Sequence, residues 1–192
     1  MNLEIPFFHI PLDYNSPVIL SYLLLSLIAW FLNVLTRGKT NQWFFSCYRS
    51  SIWNPFTYIR LFTHAIGHID FLHFTHNFLF ILLVGPMIEE KYGSIPLIIM
   101  FLITSFVIGI FNILFDNYRI LGASGNVYML IILSSFSNIS EGKVPLTLLF
   151  IFIFYIVSEM KKSLLEGNRK IYHDGHLIGA ICGLIFGCFF LK

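Results

Sequence analysis

The sequence predicts an all-α, polytopic membrane protein built as a bundle of six transmembrane helices. Composition is the first reason: 57% of the 192 residues are hydrophobic and 11% are charged, whereas soluble domains run at about 45–50% apolar and about 25% charged. The second is the recurrence of apolar runs of about 17–25 residues, the length that crosses a bilayer. The third is brevity between the runs. Helices and short connections consume nearly all of residues 1–192, which read as a single domain without internal repeats.

Residues 1–16, MNLEIPFFHIPLDYNS, carry Glu4 and Asp13 but no Lys or Arg. They lack the basic region of a signal peptide, so the first apolar run, 17–35, is expected to stay in the mature chain. The connection over about 36–66 mixes Trp43, Phe44, Phe45, Tyr48, Trp53, Phe56 and Tyr58 with Arg49 and Arg60. Amphipathic rings beside basic groups suit a segment lying in the membrane interface. Further spans are expected at 71–88, 94–115, 122–138 (a short one), 144–160 and 173–191. Cys47, Cys182 and Cys188 form no CxxC motif, and no metal site follows from them. A net charge of +2 argues against nucleic-acid binding.

Ionisable groups inside a bilayer are costly and functional by default, and here they cluster. The first, third and fifth segments contain no charged or histidine side chain. The second opens with HIDFLHFTHN, which supplies His68, Asp70, His73, His76 and Asn77. The fourth opens with GASG, placing Ser124 between Gly122 and Gly125, and the sixth opens with HDGHLIG, giving His173, Asp174 and His176. In a serpentine chain the even-numbered segments start from one face, so the three clusters share a depth.

Spacing then assigns roles. His73 and Asn77 are i, i+4, as are Ser124 and Tyr128, so each pair shares a helix face. Gly175, Gly179, Gly183 and Gly187 make a smooth stripe that permits close helix approach. His176 borders that stripe, and a fourth segment packed there would bring Ser124 to it. A seryl hydroxyl needs such a base, and neutral imidazole can take its proton and return it to a leaving amine. His73, the Asn77 amide and the Ser124 backbone N–H are available to an oxyanion, where one donor is worth roughly 3 kcal/mol. Asp70 and Asp174 are expected as helix N-caps, which favours a Ser–His dyad over a triad. His64 and His9 are expected at the interface, without a role.

With these residues in hand, the chain resembles the rhomboid intramembrane serine proteases over about residues 60–183. RLFTHAIGHIDFLHFTHN is similar to the family's R-x-x-T…H…H-x-x-x-N stretch. GPMIEEKYGS resembles its G-x-x-x-E-x-x-x-G turn, GASG with Tyr128 its nucleophile motif, and GHLIG its A-H-x-x-G, which includes Gly179. The resemblance implies a six-helix bundle that cuts transmembrane segments of other membrane proteins, with no cofactor. By position it implies Ser124 as nucleophile, His176 as base, and an oxyanion hole of His73, Asn77 and the Ser124 N–H. It implies Tyr128 stacked on His176, and Arg60 and Glu89 as structural braces. Departures are Ile59 before Arg60, His173, His76 and Asn126; the two histidines would add ionisable groups near the dyad.

Two other classes compete. The spacings His64-xxx-His68, His73-xx-His76 and His173-xx-His176 resemble the histidine boxes of membrane desaturases and hydroxylases, whose imidazoles suit iron, but that resemblance implies about eight ligands and the chain has seven histidines. A rhomboid-like pseudoprotease would bind transmembrane helices without cutting them, although such relatives typically lose the Ser or His kept here.

Orientation is contested within the sequence. The family places both termini in the cytoplasm of what would be a bacterial inner membrane, with the site opening outward. The positive-inside rule points the other way, since loops on the catalytic face hold Arg37, Lys39, Arg49, Arg60, Arg119, Lys161, Lys162, Arg169 and Lys170 against Lys91, Lys143 and Lys192 opposite. We adopt the family orientation, for which thiol labelling of Cys47 is the natural reporter.

Overall fold

The computed structural model describes residues 14–115, 118–136 and 173–190 (His173 by its backbone only), with the backbone of Leu3–Glu4 and Pro11–Leu12 and isolated helical positions at 146, 150, 153 and 154. It is helical: α1 Pro17–Leu35, α2 Lys39–Trp43, α3 Pro55–Thr63, α4 Phe71–Tyr92, α5 Ser94–Phe115, α6 Ser124–Ser135 and α7 His173–Phe189. A two-residue antiparallel pairing, Leu3–Glu4 with Pro11–Leu12, folds the N-terminal tail on itself. Three helices, α1, α4 and α5, are long and apolar enough to cross a membrane, while α6 and α7 are shorter and apolar. Most of the expected fifth span, 144–160, lies outside the described residues. The chain is an integral membrane protein.

Burial decides the layout. In α6 eight of twelve residues are buried, against five of nineteen in α1, so α6 is the central helix and α1 faces lipid. Around α6 gather Phe78 and Ile81 of α4, Leu97 and Met100 of α5 and Ile19 of α1, each 2% exposed or less. The outward faces carry Leu35, Leu79, Leu83 and Ile95, each more than 60% exposed, as a lipid-facing surface requires.

The helix ends follow local and distant cues. Asp70 caps α4 as expected, its carboxylate accepting from His73 N at 2.7 Å. Gly93 (φ +88°) ends the same helix. Asp174 does not cap; it sits in the first turn of α7, which begins one residue earlier. Asn54 and Pro55 start α3, Asn54 accepting from Phe56 N at 3.0 Å. At α1, Ser16 makes no side-chain cap. Glu89 of α4 supplies it instead, accepting from Val18 N (3.0 Å) and Ile19 N (3.1 Å), and from Oγ of Ser94 (2.7 Å), the first residue of α5.

The α6–α7 seam is a close one. A Cβ on Gly179 would run into the Gly125 carbonyl, lying 2.9 Å from its carbon. One on Gly183 would sit 2.5 Å from Met129 O, and one on Gly187 at 2.5 Å from the Phe136 ring. Gly179, Gly183 and Gly187 of the expected stripe therefore face α6 and its C-terminal end, while Gly175 faces Ile108 of α5.

Candidate active site

Ser124 is the first residue of α6, and the depth of that helix follows from its length. At 1.5 Å per residue its twelve residues rise about 18 Å, well short of the roughly 30 Å hydrocarbon core. Its far end is level with the last turn of α4, where Lys91 Nζ donates to Phe136 O at 2.9 Å. A helix of that length with one end at a membrane surface would begin inside the hydrocarbon core. Ser124 is half-buried.

The turn that delivers Ser124 is pinned on both sides. Cys47 and Ile120 pair as a short bridge, Cys47 N to Ile120 O at 2.8 Å and Ile120 N to Cys47 O at 2.9 Å. Gly122 N then donates to His64 O at 2.9 Å. Gly122 has φ +124°, which disfavours any side chain, and a Cβ there would lie 2.7 Å from His73 Cε1, 2.8 Å from His73 Nε2 and 3.9 Å from Asn77 Nδ2. The glycine is what lets the serine turn rest against the imidazole of His73 and the amide of Asn77. One Asn77 N–H is spent on His73 O at 3.0 Å; the amide carries a second.

His176 arrives from the other side. Its ring stacks on Tyr128, with centroids 4.5 Å apart and planes at 26°. Ser124 and His176 both wall a cavity of about 50 Å³, together with Gly122, Gly125, Asn126 and Asp174. That is room for a few waters. All the residues expected at the site from the three clusters, Ser124, His176, His73, Asn77, Tyr128, Gly122, Gly125 and Gly179, are thus gathered at one end of α6. Arg60 and Glu89 lie away from the cavity. Arg60 is buried in the first loop, donating to Tyr48 OH (2.7 Å) and Ser50 Oγ (2.6 Å) with its guanidinium 4.1 Å above the Tyr48 ring.

The family model that matches the chain is that of the rhomboid domain, over residues 55–192. The chain belongs to the rhomboid family. Most members are serine intramembrane proteases. Comparison with curated proteins finds no match.

Several expectations need correcting in this rhomboid. His64 is not interfacial: it is 3% exposed, its Nε2–H donates to Ser105 O at 3.0 Å, and burial pushes its pKa down. Its ring reaches Ser105 of α5 while its carbonyl accepts from Gly122 N in the serine turn. His76 is exposed and turned away from Ser124, one residue being a quarter turn of helix from Asn77. The side chain of His173, and all of His9, lie outside the described residues. Cys47 is fully buried, with burial pushing its thiol up to about 12, so it is not the labelling reporter expected of it. The described histidines do not converge as a metal box would. His68 Nδ1–H donates to Ile66 O at 3.0 Å while its ring meets that of His73 edge-on at 5.0 Å, and among the described residues no three His, Cys, Asp or Glu side chains form a ligand set.

Sequence reasoning missed two neighbours of the site. Ser105 of α5 and Tyr22 of α1 both receive the Asn126 amide, at 3.3 and 3.1 Å. Neither is charged or a histidine, so a search of the first and third segments for those side chains passes over them.

Proposed function

We propose that this rhomboid is an intramembrane serine endopeptidase that cuts transmembrane segments of other membrane proteins. The observation that supports the reading is a shared cavity: Ser124 and His176 wall it, and Gly122, two residues before the serine, lies against His73 and Asn77. In this reading His176 takes the proton as Ser124 Oγ attacks the scissile carbonyl. His73, the second Asn77 N–H and the Ser124 backbone N–H receive the oxyanion. His176 then returns its proton to the leaving amine, and water drawn through the small cavity releases the acyl chain by the reverse sequence. Tyr128 holds the imidazole plane by stacking. Arg60 and Glu89 act as structural braces through the contacts described above.

Substrates are helices that unwind readily near the catalytic face, because a peptide hydrogen-bonded within a helix is closed to attack. We assign the site to the outer face of a bacterial inner membrane. Trp53, 88% exposed in the first loop, is the position at which an introduced thiol reports that orientation to an impermeant reagent.

The test uses purified protein in liposomes with a labelled transmembrane substrate. Cleavage by the wild type and its loss in both Ser124→Ala and His176→Ala, each still folded, is the expected result. Cleavage unchanged in Ser124→Ala reduces that serine to a packing residue. Wild type that neither cleaves nor reacts with a serine-directed probe is a helix-binding pseudoprotease.

A further inference from the structure

Asn126 departs from the family pattern, and the mechanism above does not use it. It is 3% exposed and sits two residues beyond Ser124, on the wall of the same cavity. Its neighbours fix which way its amide points. The Tyr22 hydroxyl donates its one proton to Ala65 O (2.8 Å), and the Ser105 hydroxyl donates its own to Phe101 O (2.8 Å). Both oxygens can therefore only accept from Asn126, so the NH₂ faces them and spends one hydrogen on each. The Oδ1 is left buried with no partner among the described residues.

These bonds close a circuit. Gly122, two residues before Ser124, ends on the carbonyl of His64. Asn126, two residues after it, ends on the hydroxyl of Ser105. His64 and Ser105 are themselves joined by the imidazole Nε2–H and the Ser105 carbonyl. The nucleophile turn is thus held on either side by one bonded pair, and Tyr22 ties the same amide to α1 and, through Ala65, to the turn before α4.

We propose that Asn126 is a positioning residue that sets Ser124 against the His73–Asn77 donors, and that it is kept for this at no gain in stability. The inference rests on the reading of Ser124 as nucleophile. Its physical core is an asymmetry. An apolar side chain at 126 would strand no donor, since both hydroxyls keep their carbonyl partners, and it would remove the orphaned Oδ1. It would leave the first turn of α6 without its polar tie to α5 and α1, the bond from Gly122 to His64 remaining on the other side of Ser124. A small displacement of reacting atoms costs up to about a hundredfold in rate.

The experiment measures three quantities for wild type, Asn126→Val and Asn126→Ala in detergent: acylation of Ser124 by a fluorophosphonate, kcat and KM on a transmembrane substrate, and Tm. The expected result is a fall of about 10- to 100-fold in acylation rate and kcat, with KM unchanged in both variants and the Tm of Asn126→Val within error of wild type. Adding Ser105→Ala to Asn126→Val should cost little more than Asn126→Val alone, because the bond between them is already gone. A purely structural role would lower Tm and kcat together in both variants and overturns the proposal, as does an unchanged kcat or full additivity with Ser105→Ala. Wild type that is not acylated at Ser124 would instead overturn the nucleophile reading, and this inference with it.

Discussion

The seam between α6 and α7 and the first loop both hold the site in place, by opposite means. The seam is backbone against backbone, with Gly125 facing Gly179 and Met129 facing Gly183. Nothing polar is needed there, and the geometry is set by what is missing from the side chains. The loop between α1 and α4 is held by polar bonds that cross long stretches of sequence. Arg60 grips Tyr48 and Ser50, Arg49 reaches Ile113 O and Leu114 O at the end of α5 (2.7 and 2.8 Å), and Asn41 Nδ2 donates to His68 O at 2.8 Å. A helix pair in lipid can rely on shape because its backbone bonds are already satisfied internally. An irregular loop has no such internal ladder and must find a partner for each group it buries.

The sharpest test of this contrast lies within the seam. Gly179→Ala puts a methyl into the Gly125 carbonyl, which is backbone and cannot yield, so we expect about 3 kcal/mol or more of destabilisation and loss of cleavage as His176 moves off Ser124. Gly175→Ala, one turn earlier, meets only Ile108 Cγ2 at 3.6 Å and should leave Tm within a degree or two. Equal Tm values for the two variants would refute the backbone-contact account.

The loop should respond to chemistry rather than to volume. Arg60→Lys keeps the charge but cannot donate to Tyr48 and Ser50 together while covering the Tyr48 ring. It should cost on the order of 1–2 kcal/mol, read as a lower Tm and faster proteolytic nicking over residues 44–54. Protection equal to wild type would mean that the loop is held by shape as well.

The smallest effect concerns pH. Burial first, and the nearby His73 second, bring the pKa of His68 down to about 4 from the ordinary 6.5. The unfolded chain thus binds the proton more readily than the native one. Stability is full above about pH 6.5 and is lost progressively as pH falls towards 4, amounting to on the order of 1 kcal/mol at pH 6. His68→Phe should flatten that slope between pH 7.5 and 6, and an unaltered slope would assign the acid sensitivity elsewhere.

Legibility in the sequence divides along the same line. The spans α1, α4 and α5 appear as apolar runs, the Asp70 cap as a local signal, and the α7 stripe as a period of four. The convergence of Ser124, His176, His73 and Asn77 could be read because polar residues are conspicuous in a greasy chain. The helices α2 and α3 were hidden inside a segment read only as aromatic and basic. His64 looked interfacial because its burial depends on Gly122, some sixty residues away in the chain. Asn126 stood out as a departure, yet its partners lie 104 and 21 residues off, on helices with no charge to attract notice.

The Glu89 cap has a consequence for assembly. The amino end of α1 owes two of its N–H partners to a carboxylate 70 and 71 residues further along the chain. Those native bonds cannot form until α4 has been made and inserted. Helix α1 is therefore completed only when a later one docks beside it, so synthesis and consolidation of this bundle run in different orders.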